Sequence, residues 1–348
     1  MTLVIRGAGI AGLVTAHELV NRGFSVEVHE RAGAVGHGAS HFAGGMLAPY
    51  CEREAAPDLV LQIGLRGLDW WRKKMPADVI SKGTLVLAQP RDMPELSRFA
   101  TRTQGYEWVD AEAIAALEPD LAGRFHKGLF FADEAHLDPR RAMRRLYEDL
   151  EKRGTVFRLS CDKTMTPSAL HGTGTGAGTG TGDGGHGNAG NCIIDCTGAA
   201  AIGALPGLRG VRGEMLYLHT PDITLSRPVR LLHPRHPLYV VPRGNDLFML
   251  GATMIEAADS GPIAVRSLME LLNMAFAVHP AFGEARVTET GTGIRPALVD
   301  NVPRVVETPE GLAVAGMYRH GFLLAPAMAQ EVADRLEQRH TNRERKFA

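Results

Sequence analysis

A chain of 348 residues that is 45% hydrophobic is too long for one simple core and too apolar for disorder, so one large α/β domain or two interleaved ones are expected. Its 38 Lys and Arg against 39 Asp and Glu leave a net charge of −1, which removes the electrostatic case for nucleic acid or an anionic membrane surface. Small neutral or zwitterionic partners remain.

The first twenty residues are apolar but are broken by Gly7, Gly9 and Gly12 and lack a basic lead-in, so they read as structure and not as a signal peptide. "LVIRGAGIAGLVTAHELVNRGFSVEVHER" predicts a buried strand from Leu3 to Arg6, a glycine turn, a helix from Ile10 to Asn21 and a second strand from Val26 to His29. Gly7, Gly9 and Gly12 form G-x-G-x-x-G between strand and helix. The first glycine permits the turn, the second lets backbone approach a pyrophosphate, and the third lets helix and strand pack closely. Glu30 ends the second strand, eighteen residues after Gly12, and can accept from a ribose diol. That acid disfavours a 2′-phosphate, leaving FAD or NAD. The run "ERAGAVGHGASHFAGGMLAP" favours FAD, because small residues at Ala39, Ser40, Gly44 and Gly45 would let the main chain lie along an extended cofactor. An ordinary glycine-rich loop is the plainer reading.

Further along, "HLDPRRAMRRLYEDLEKRG" predicts a helix capped by Asp138, with Pro139 in its first turn and Gly154 as its stop. Residues 171–191, "HGTGTGAGTGTGDGGHGNAGN", have almost no side chain able to pack and read as a flexible linker or hairpin tip. No apolar strand runs directly into them, which argues against a phosphate loop or a metal tract on His171 and His186. "CIIDCTGAA" predicts a buried strand from Cys192 to Cys196, stopping at Thr197 and Gly198. "EMLYLHT", "LYVVPR" and "LFMLGATM" predict strands of a larger, more antiparallel sheet. The chain closes with a strand "GLAVAG", a turn "MYRHGFLLAP", the amphipathic helix "AMAQEVADRLEQRH" and a polar tail "TNRERKFA" expected to fray. No apolar run reaches the length of about 18 residues that suits a membrane span. Cys51, Cys161, Cys192 and Cys196 have neither disulfide-scaffold nor zinc spacing, so no metal is expected and a reducing cytoplasm fits best.

"ETGTGIRPALVD" sets Arg295 between glycines and a proline. Alone, such an arginine reads as a solvated charge beside a turn. With its backbone held stiff, it is a planar fork suited to a carboxylate. Phe322, Leu323 and Leu324 read first as core, and His236 and His320 as structural histidines.

Taken together, "GAGIAG", "ER" at 30 and 31, "GASHFAGGMLAP", "LDP", "DCTGAA", "YVVPR", "GATM", "GIRP" and "GMYRHGFLLAPAMA" resemble the D-amino-acid oxidase superfamily, and within it the glycine oxidases of thiamine synthesis. They run from residue 7 to residue 329. The resemblance implies a Rossmann-like FAD-binding domain (1–80, 138–212 and 290–348) interleaved with a substrate domain (81–137 and 213–289) on a larger mixed sheet. It implies flavin contacts at Gly7, Gly9, Ile10, Ala11, Gly12, Glu30, Arg31, Ala39, Ser40, Gly44, Gly45, Met46 and Gly198, and through Met317, Tyr318, Arg319, His320, Gly321, Phe322 and Leu323. An adenine-side contact near residues 161–163 is less well matched, because the Gly/Thr-rich run replaces an ordered hairpin. Arg295 would bind the substrate carboxylate, Tyr239 and Met254 would line the pocket and Arg319 its edge, with no protein acid or base at the reacting carbon. The expected activity is oxidation of glycine or another small amine by oxygen, in a homo-oligomer. A sarcosine-type oxidase, a D-amino-acid dehydrogenase and a non-catalytic flavin-bound partner are the rivals. No cysteine follows Cys196, so the flavin is expected to be noncovalent.

Overall fold

A computed structural model describes residues 2–161 and 192–347. The expected linker at 171–191 and most of the adenine-side position at 161–163 lie outside the described residues. Two large sheets organise the chain. Strands Arg304–Thr308, Gly311–Ala315, Ile193–Asp195, Thr2–Arg6, Ser25–His29 and Val156–Arg158 lie in that order in a six-stranded sheet. All neighbours in it pair in parallel except the first two, an antiparallel hairpin at one edge. Its central strands are buried on both faces, as the apolar run Leu3, Val4 and Ile5 requires.

The helix Ile10–Asn21 follows the first strand, and the helices Asp58–Lys74 and Gly321–Phe347 share its core, where Ile5, Leu13, Leu19, Trp71 and Leu323 are almost fully buried. The eight-stranded sheet runs Arg286–Ala297, Arg209–His219, Leu247–Gly251, Leu238–Gly244, Val229–Leu232, Thr84–Ala88, Lys127–Phe131 and Glu107–Asp110. It is antiparallel apart from the one parallel pair of Val229–Leu232 with Thr84–Ala88. One face packs on the helix Val265–Val278 in a second core. The boundaries drawn at 212 and 290 fall inside two long paired strands of this sheet.

The Asp138 cap forms as expected: its carboxylate accepts from the backbone N–H groups of Arg140 (2.8 Å) and Arg141 (3.0 Å), and Gly154 follows the helix end at φ +85°. Three details differ from the sequence reading. "GIRP" is not beside a turn but within the strand Arg286–Ala297. Its glycines serve packing, because a Cβ on Gly291 would sit 2.2 Å from the Phe42 ring and one on Gly293 3.2 Å from the Ala39 backbone. Pro296 is tolerated there because the strand is at the sheet's edge, where a missing N–H costs no ladder bond.

The last helix starts at Gly321, six residues before the expected Ala327, with Pro326 inside it. Proline cannot donate back to Phe322, and the Trp71 indole N–H takes up that orphaned carbonyl at 2.7 Å, so the turn survives. The same helix continues to Phe347 through the polar tail that was expected to fray. Arg and Glu are good helix formers and carry it on once its apolar first half is docked.

Candidate functional site

One cavity of about 860 Å³ runs from the glycine turn to the face of the larger sheet. Every residue singled out for cofactor or substrate lines it except Gly12, which lies beneath the turn. Gly7 takes φ +97°, closed to most side chains, and donates to the His29 carbonyl at 2.8 Å. A Cβ on Gly12 would stand 1.8 Å from the Gly7 carbonyl, so helix and strand can touch only through glycine. The Glu30 carboxylate accepts from Ala8 N–H (2.7 Å) and Ala32 N–H (2.8 Å), which ties the second strand to the turn and fixes its two oxygens at the cavity wall. Ser40 Oγ accepts from Ile10 N–H at 3.1 Å and so docks the small-residue loop onto the helix N-terminus. Gly45, at φ +68°, brings its carbonyl to Leu137 N–H at 2.9 Å. Together these make a groove of bare backbone, a helix N-terminus and one fixed acid, which is what a dinucleotide's pyrophosphate and ribose need.

The far end of the cavity is built on the larger sheet. Arg295 is half-buried by its own surface, and Nη1 donates to the Thr253 carbonyl at 2.9 Å. On the paired strand, where Gly213 faces Gly293, a Cβ on Gly213 would stand 2.1 Å from Nη2 and 2.2 Å from Cζ, so the guanidinium lies against a glycine. Burial lowers the Arg295 pKa, with Arg319 adding to the effect, yet a guanidinium remains charged. Tyr239 stands between two more glycines: a Cβ on Gly44 would reach its ring at 2.8 Å, and one on Gly251 its hydroxyl at 2.6 Å. Burial raises the Tyr239 pKa, so the hydroxyl keeps its proton.

Arg319 Nη1 approaches the Met254 sulfur at 3.3 Å and Nη2 approaches Glu52 Oε2 at 3.3 Å. His320 Nδ1 lies 3.3 Å from the same Glu52 oxygen, and burial lowers its pKa to about 4, so the ring is neutral at neutral pH. Burial alone would raise the Glu52 carboxyl, but Arg319, His320 and Arg230 hold it down at about 2. Tyr318, at φ +45°, donates its N–H to the Pro296 carbonyl at 2.8 Å, which couples the start of the last helix to the Arg295 strand.

Sequence reasoning missed Glu52, Arg230 and Gly213. Arg230 had a signal: it is a charge within Val229–Leu232, a strand whose other residues are all apolar and buried. His236 stays away from the cavity, 3.3 Å from Glu270 and stacked on His233. Among the described residues no group of three or more His, Cys, Asp or Glu could hold a metal, and no helix is long and apolar enough to cross a membrane.

The chain is similar to known proteins along nearly its whole length. The chain is 57% identical over 336 residues to the thiamine biosynthesis oxidoreductase ThiO of Rhizobium etli, covering 97% of this chain and 96% of that one. It is 28% identical to the glycine oxidase of Geobacillus kaustophilus, covering 97% and 93% of the two chains. The crystal structure of glycine oxidase from Geobacillus kaustophilus superposes with a TM-score of 0.77 at 22% identity, covering 97% of this chain and 94% of that one, which shows a shared fold. Residues 2–335 match the DAO group of FAD dependent oxidoreductases, and the chain belongs to that family.

Proposed function

We propose that this protein oxidises glycine: glycine, oxygen and water become glyoxylate, ammonia and hydrogen peroxide, by way of an imine that hydrolyses. The observation that carries the reading is the Arg295 guanidinium, set on Gly213 and the Thr253 carbonyl in the same cavity as the dinucleotide groove. FAD is the cofactor of the family, and the groove fits it: glycines stand where a Cβ would block the turn, and Glu30 presents a carboxylate. Bound there without a covalent link, FAD supplies a two-electron acceptor that oxygen can regenerate.

The chain's own residues position the reactants. Arg295 grips both carboxylate oxygens, fixing rotation and distance, which can be worth several kcal/mol of barrier. Tyr239, protonated, can donate to the same carboxylate. His320 is neutral and Glu52 ionised at neutral pH, so neither offers an acidic proton to the substrate amine. The N-terminus of the helix Gly321–Phe347 borders the cavity and favours negative charge there.

We further place the enzyme in the cytoplasm as a homo-oligomer and, from the likeness to ThiO, assign its imine product to thiazole synthesis. The groove belongs to residues 1–80, 138–212 and 290–348 and the substrate face mainly to 81–137 and 213–289, with Arg295 and Arg319 reaching across. Mixing the purified yellow protein with glycine without oxygen tests the reading. Bleaching of the flavin band, and peroxide on readmitting air, is expected. Bleaching without peroxide would make it a dehydrogenase, and no bleaching with any amino acid would make it a binding partner.

Gly213→Ala probes the seat of Arg295 without touching the charge. The added methyl group must displace the guanidinium from the Thr253 carbonyl, so the glycine KM should rise about tenfold or more with flavin content unchanged. In a double-mutant cycle with Arg295→Met the effect should vanish, because the group that it displaces is gone.

A further inference from the structure

Among the other groups that line the cavity with Arg295 are the guanidinium groups of Arg319 and Arg230 and the carboxylate of Glu52. One substrate carboxylate needs one guanidinium, and Arg295 serves that purpose in the function proposed above. The other two arginines share Glu52: Oε2 is 3.3 Å from Arg319 Nη2, and Oε1 is 3.6 Å from Arg230 Nη1. Arg230 is buried in its strand, donates to the Cys51 carbonyl at 3.3 Å and faces the Phe99 ring, so it cannot swing out to solvent. Glu52 is held by charge more than by directed bonds, since its buried Oε2 finds no aligned hydrogen bond among the described residues.

We infer that Glu52 is a specificity-determining residue: its carboxylate occupies, as a resident anion, the position between Arg319 and Arg230 that the second carboxylate of a diacid would otherwise take. The pocket therefore accepts amino acids with one carboxylate, with or without a small neutral N-substituent, and rejects those that carry a second anion. The rejection is Coulombic. A diacid must place its distal carboxylate against Glu52 in a site shielded from solvent, where like charges repel strongly. Without Glu52, the same two arginines become an acceptor for that carboxylate. This rests on Arg295 as the carboxylate anchor, and not on glycine as the substrate.

Two ligands of equal size that cannot be oxidised as amines isolate the charge: oxydiacetate, with two carboxylates, and its monoamide, with one. Their dissociation constants are read from the shift of the flavin absorbance of the holoenzyme, so that turnover plays no part. Wild type should bind the monoamide on the order of 100-fold more tightly than the diacid. Glu52→Gln should erase or invert that ratio while keeping its flavin. A wild-type ratio near one, or a folded Glu52→Gln protein with the wild-type ratio, overturns the proposal, the latter leaving Glu52 a purely structural ion-pair partner. Should Glu52→Gln not fold, the wild-type ratio alone decides. Failure of glycine to bleach the flavin would remove the glycine reading and leave this ratio intact.

Discussion

Arg295→Met should raise the glycine KM by roughly 10²- to 10³-fold, the scale on which losing one partner of a buried charge pair costs 2–5 kcal/mol. Methionine fills much of the space of the arginine stem, so the cavity is not emptied. The loss is that of a charged fork resting on Gly213 and anchored at 2.9 Å to the Thr253 carbonyl. Flavin should remain bound, because the groove that holds it is built from the turn at Gly7 to Gly12, Glu30 and the loop around Ser40. Steady-state kinetics over a wide glycine range, with the visible spectrum of the same preparation, checks both halves. A near-normal KM would discard the role of Arg295, and a colourless protein would show that the substitution reaches the cofactor groove instead.

Gly12→Ala should yield protein that purifies without flavin. A Cβ at this position would meet the Gly7 carbonyl at 1.8 Å, a contact with rigid backbone that no side-chain movement relieves. Helix Ile10–Asn21 must then move off the first strand. With it go the Ile10 N–H to Ser40 contact and the set of the backbone facing the pyrophosphate. Expected are a flavin-to-protein absorbance ratio near zero and a lower Tm, neither restored by excess FAD. Gly33→Ala is the matched control, because its Cβ would meet only the Ser160 hydroxyl at an ordinary 3.6 Å. A yellow Gly12→Ala protein with full flavin content would mean that the helix does not need to touch the strand there.

The opening strand-helix-strand unit and the helix after Asp138 are legible locally, whereas the strands and helices between Asp58 and Phe131 carry no such signal. Strand, turn and helix from Thr2 to Asn21 follow from apolar runs and glycines at fixed spacing, and the Asp138 cap follows from one residue type next to a proline. Arg295 could be singled out, but not its setting. Whether "GTGIRP" is a turn or a strand depends on its pairing with Arg209–His219 and on Phe42 packing against Gly291, both remote in sequence. Likewise, the helix at Gly321 begins before Pro326 only because Trp71, some 250 positions away, accepts the task of the missing N–H. Glu52 escaped notice for a similar reason. In "YCEREAAP" it is one of several charges on a short helix, and only the fold brings it against Arg319, His320 and Arg230.

The central claim is that Arg295 anchors a small carboxylate within reach of the cofactor groove. A crystal structure of the yellow holoenzyme with glycolate, which has glycine's carboxylate without its amine, tests it most directly. Both carboxylate oxygens should lie on the Arg295 guanidinium, with the Tyr239 hydroxyl donating to one of them. Glycolate seated on Arg319 or Arg230 with Arg295 left empty would contradict it.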